Sequence, residues 1–152
     1  MTDLSMFRQT RKLIGMATKG LPEEAYFTIP DKFDNNIAWN LGHIIVVQQA
    51  LIYGRSGLEM SLEKGQAKLF RQGTSPADWG ETRPDITALR KQLREHVDLF
   101  EADMAADKFQ AVEPYTTSTG VSLNTFADCY NFNNFHEGLH LGQILALRNL
   151  VL

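Results

Sequence analysis

The sequence predicts an all-α protein, a four-helix bundle, and three observations carry that prediction. Four segments repeat apolar residues every three to four positions. No long segment alternates with period two, although 115–121 has room for a short extended piece. Glycine, proline and capping residues bound the periodic segments.

The first helix is expected over Asp3 to Lys19. Phe7, Ile14 and Leu21 recur at heptad spacing, and Gly20 followed by Pro22 is a stop signal. The second is expected over Asn36 to Tyr53, with Asp34, Asn35 and Asn36 as N-cap candidates and Gly54 as its end. Trp39, His43, Val46, Val47 and Ala50 share one face, and further apolar residues around it predict burial on more than one side. The third is expected over Arg83 to Met104, from a start resembling a capping box at Thr82 and Asp85. Arg90, Lys91, Arg94, Glu95 and Glu101 form its solvated face. The fourth is expected over Leu123 to Leu150 with Ser122 as N-cap, and Cys129, Phe132, Asn133, His136, His140, Ile144 and Leu147 form its stripe. Between the second and third lies a connection long enough to carry its own short helix, expected at Ser61–Phe70. Trp79 and the Ser75-Pro76 turn are expected to anchor it.

A chain of 152 residues suits one domain. Its 43% hydrophobic and 22% charged residues are ordinary for a soluble protein, and a net charge of -3 gives no reason to expect nucleic acid or an anionic membrane as partner. Met1 is followed by a polar, mixed-charge segment, and no apolar run spans a bilayer. Neither a secretory signal nor membrane insertion is expected. The single cysteine, Cys129, agrees with a cytoplasmic location.

The chemistry concentrates in His136-Glu137-Gly138-Leu139-His140. Histidines at i and i+4 lie about 6 Å apart on one helix face, so both imidazoles reach one metal ion. Two ligands bind weakly, and His43, on the most apolar stripe of the second helix, is the natural third. Three histidines leave a coordination position open for water or substrate. The competing explanation is chance spacing, with His43 a satisfied core residue. It loses ground because both predicted faces turn their histidines to the core. The same motif invites a zincin reading, with Glu137 as general base. Against it, Leu141-Gly142-Gln143 lacks the further ligand spacing, and the twelve residues after His140 include no acid.

Glu137 is the candidate catalytic residue. It lies about 100° around the helix from His136, so solvation is the safest expectation, with a base or histidine-orienting role as alternatives. Asn133, Gln143 and Asn40, each one turn from a histidine, are candidates to accept the outer N–H of a ligand. Cys129 reads as a plain buried cysteine and His96 as a surface or boundary residue.

At these residues the chain resembles the DinB/YfiT-like metalloenzyme family. The resemblance rests on Trp39-Asn40-Leu41-Gly42-His43-Ile44, on His136 to Ile144, and on Phe70-Arg71-Gln72-Gly73-Thr74, and it covers essentially the whole chain. It implies an up-down-down-up bundle, a divalent metal (Zn or Ni) on His43, His136 and His140, and a homodimer. It also implies a low-molecular-weight thiol cosubstrate, since relatives include bacillithiol- and mycothiol-dependent S-transferases and a maleylpyruvate isomerase. Leu141 departs from the basic residue of many relatives. The expected function is a metal-dependent enzyme acting on a small molecule, by thiol transfer or by hydrolysis. A non-catalytic metal- or ligand-binding stress protein and a purely structural module are the alternatives.

Overall fold

The computed structural model describes residues 2–152. Helix α1 spans Ser5–Ala17. Arg90 from a later helix donates to the carbonyls of Gly15 and Thr18, two acceptors left open at its C-terminal end. A one-turn helix, α2, follows at Glu23–Phe27.

Helix α3 spans Ile37–Gln48 and continues through a π-helical segment, Gln49–Gly54. Asn36 is its N-cap, accepting the Trp39 N–H at 2.8 Å. Every residue from Ile37 to Val46 is buried, as the sequence predicts for a helix apolar on several sides.

The long connection carries α4, Gln66–Phe70, and a 3₁₀ turn, Pro76–Trp79. Only the second half of the expected 61–70 helix forms, because Gly65 precedes it at φ 80°. Trp79 is buried, and its indole donates to the Leu69 carbonyl at 3.1 Å, so the expected anchor is in place.

Helix α5 spans Ile86–Ala105, starting three residues later than expected. Asp85 itself is the cap, accepting the Ala88 N–H at 3.0 Å. Arg83, left outside the helix, reaches Glu24 at 2.9 Å and packs over Phe27. Arg90 departs from the expected solvated face and turns into the α1 end.

The extended piece foreseen at 115–121 is a minimal antiparallel hairpin. Strand β1, Tyr115–Thr116, pairs with β2, Ser122–Leu123. Ser122 is therefore a strand residue and not a helix cap. Thr125 caps α6, Phe126–Val151, in a reciprocal capping box with Asp128.

Helices α1 and α3 each pack against both α5 and α6. Two apolar clusters fill the interior. One joins Ile14, Leu41, Ile44, Phe70, Leu93, Ile144 and Leu147; the other joins Phe7, Ile52, Phe100, Leu123 and Cys129. No helix among the described residues is long and apolar enough to cross a membrane.

Candidate metal centre

His43 is set by what surrounds it on α3. Trp39, one turn earlier, stacks on its ring at 4.3 Å between centroids and 15° between planes. Its Nδ1–H donates to the Phe70 carbonyl at 2.6 Å, which leaves the Nε2 lone pair free. The close approach of α4 that makes this bond needs Gly42, because a Cβ there would overlap the Phe70 ring. Trp39 ties down the same connection, donating from Nε1 to the Thr74 hydroxyl at 3.1 Å.

His136 and His140 come from one face of α6. His140 donates its Nδ1–H to Asn40 Oδ1 at 2.7 Å. The Asn40 amide is itself oriented, since its Nδ2 donates to the Asn36 carbonyl at 2.8 Å and to Asn35 Oδ1 at 3.0 Å. His140 thus keeps Nε2 free, as His43 does. His136 Nε2 lies 3.2 Å from His43 Nε2. The ligand atoms of all three histidines lie within 4.8 Å of one another.

Burial lowers the pKa of all three. His43 is held below its ordinary value by desolvation, against the Phe70 hydrogen bond. Desolvation and its histidine neighbours push His136 down to about 2, and desolvation and His43 push His140 down to about 4. At neutral pH all three are uncharged imidazoles, the form that binds metal.

This donor set fits a divalent ion. Two nitrogens bound to a tetrahedral zinc at its usual bond length lie about 3.3 Å apart, close to the observed His43–His136 separation. The Nδ1 protons of His43 and His140 have oxygen acceptors, the arrangement that orients ligating imidazoles. The outer nitrogen of His136, Nδ1, is buried without a partner among the described residues.

Glu137 corrects the sequence reading: it is fully buried, not solvated. Its carboxylate takes Arg11 Nε at 2.7 Å and Nη2 at 2.8 Å, and Asn133 Nδ2 at 3.0 Å. Arg11 adds a bond to the Leu93 carbonyl at 3.1 Å. The rotation that turns Glu137 from the His136 side carries it into the interior beside α1. Asn133 accordingly serves Glu137 and not a histidine. Gln143 makes no hydrogen bond to the trio. Only Asn40, of the three candidate polar neighbours, bonds one of the clustered histidines.

Cys129 is a buried cysteine as expected, its thiol pKa raised by burial. His96 is a second correction. It is 3% exposed, accepts from Gln49 Nε2 at 3.3 Å, and is pushed down to about 4 by desolvation and by the charge of Arg11. The signal was present: Leu89, Leu93, His96, Phe100 and Asp103 are the buried stripe of α5.

A cleft of about 300 Å³ opens beside the histidines. His43 and His136 line it together with Val47, Phe132, Phe135 and Leu139, the hairpin residues Thr117 to Thr119, and two arginines, Arg55 and Arg71. The sequence reading assigned no role to these arginines or to the hairpin, because no local motif marks residues brought together only by tertiary packing.

No curated protein matches the sequence. The family model of the DinB superfamily matches residues 6–144, a span that includes all three clustered histidines. The chain belongs to the DinB superfamily.

Proposed function

We propose that this chain is a metal-dependent enzyme in which His43, His136 and His140 hold one divalent ion, zinc or nickel, beside the substrate cleft. The observation that carries this reading is the convergence of three neutral imidazoles, two with the outer N–H held by an oxygen. A bound divalent ion would act as a Lewis acid, lowering the pKa of a coordinated thiol or water toward neutrality.

The chain's own residues do the rest. Phe70 and Asn40 keep His43 and His140 in one tautomer. The apolar wall of the cleft limits water at the site. Glu137 is assigned a structural role, tying α6 to α1, because its carboxylate is committed to Arg11. Thiol-S-transfer is the preferred chemistry, on family resemblance. Hydrolysis is the second reading, and Leu141 favours it. That side chain packs on the apolar core, so the basic contact of many relatives is missing there. We further place the chain as one domain over 1–152, in up-down-down-up order, as a cytoplasmic homodimer.

The test is turnover of thiol-acceptor and ester substrates by the metal-loaded protein, beside the folded His43→Ala, His136→Ala and His140→Ala variants. Each variant is expected to lose activity and metal together. Undiminished turnover by a metal-free triple variant overturns both chemistries.

A further inference from the structure

The cleft carries charge of one sign. Arg55 and Arg71 line it, and no aspartate or glutamate does. Most of the remaining wall near the histidines is apolar: Val47, Phe132, Phe135 and Leu139. Arg71 is exposed and Arg55 half-buried, so both guanidiniums stand at the rim of the apolar cleft, where an anion with its body in the cleft takes charge-assisted hydrogen bonds from both.

Both arginines are placed by structure already described. The Arg55 N–H bonds the Ala50 carbonyl at 3.0 Å, extending the π-helical pattern, and its guanidinium lies 4.3 Å from the Tyr115 ring centroid. Its nearest carboxylate, Glu113, stands 3.8 Å away and is 77% exposed, which leaves most of the charge available. Arg71 directly follows Phe70, whose carbonyl orients His43. Its guanidinium has no hydrogen-bond or ion-pair partner among the described residues. An anion held by Arg71 is therefore held next to the segment that fixes a candidate metal ligand.

We infer that the cleft takes a small molecule with a compact apolar body and one carboxylate. The carboxylate is recognised by Arg71 and Arg55, and the body lies against Phe132, Phe135 and Leu139. The volume, about 300 Å³, is at the small end for ligand pockets and suits a compact apolar body. This inference rests on the proposed enzymatic reading and names the substrate class of the same site.

The experiment is calorimetric titration of the metal-loaded chain with phenylacetate, phenylacetamide and malonate. Phenylacetate is expected to bind at least about tenfold more tightly than the neutral amide or the charged compound without an apolar body. Arg71→Leu and Arg55→Leu are each expected to weaken phenylacetate by about tenfold, with binding of the amide and the metal content unchanged. Arg71→Lys, which keeps the charge, should fall between. Equal binding of acid and amide, or no binding of phenylacetate, overturns the inference. So does wild-type affinity in both leucine variants, which would put the carboxylate elsewhere. Titrating His136→Ala separates the two readings: arginine-dependent binding by a metal-free chain keeps the anion site while removing the metal.

Discussion

The three histidines differ in what holds the nitrogen turned away from the cluster. His140 depends on Asn40, whose Oδ1 is aimed by two bonds from its own amide. Replacing Asn40 with Ala removes that acceptor and frees the ring to rotate. Metal affinity is expected to fall about 10–100-fold, read by competition with a chelator of known affinity. His96 supplies a separate residue-scale prediction. Its pKa is about 4 when folded and near 6.5 when unfolded. The unfolded chain therefore takes up the proton first as pH falls. Stability contributed by the neutral ring is present above about pH 6.5 and is lost between there and about pH 4. Urea unfolding midpoints of the metal-free protein should drop across that window, and by less in His96→Gln. An equal drop in the variant would contradict this account. The histidine trio was legible because i, i+4 spacing and an apolar stripe on α3 are local signals. Glu137 and His96 were misread because exposure was inferred from neighbours along the chain. What buries them lies on other elements, Arg11 of α1 for one and Gln49 for the other.

Elements meet at the site through two contacts that can be broken selectively. Gly42 lets the Phe70 ring lie against α3, and that approach brings the Phe70 carbonyl to His43. Gly42→Ala must displace the ring. It is expected to cost about 1–3 kcal/mol in chemical denaturation and to lower metal affinity with it. The second contact is the buried Arg11–Glu137 pair that joins α1 to α6. Glu137→Gln leaves a buried guanidinium uncompensated and is expected to cost about 3–5 kcal/mol. The double variant Arg11→Met with Glu137→Leu should recover most of that loss and keep its metal, because neither residue is assigned as a ligand. Loss of metal in a stable double variant would assign Glu137 a direct role at the centre. The long helices were readable from apolar periodicity, but their first turns were not. Thr82 and Ser122 looked like caps in isolation, while Asp85 and Thr125 win because their side chains reach the N–H groups of Ala88 and Asp128. The one-turn α2, the 3₁₀ turn and the hairpin are too short to show a period.

For the whole molecule, one arrangement explains the features that sequence alone left separate. Helices α3 and α6 bring histidines from positions 93 residues apart to 3.2 Å. The connection after α3 closes over them through Phe70, Thr74 and Trp79, and the hairpin before α6 forms part of the cleft wall. All-helical class and the identity of the histidines were accessible from pattern. The cleft was not, because its arginines, aromatic residues and hydroxyls come from four stretches of chain that no local period connects. Metal should couple to stability as well as to activity. A ligand bound only by the folded state raises the unfolding midpoint, so a chelator is expected to lower it in wild type and to leave the His136→Ala variant unchanged.

The most direct measurement is elemental analysis of untagged protein beside the three single histidine variants. The account predicts about one zinc or nickel per chain in wild type and its loss in each folded variant. No metal in wild type after reconstitution with either ion would contradict it and return the three histidines to the core.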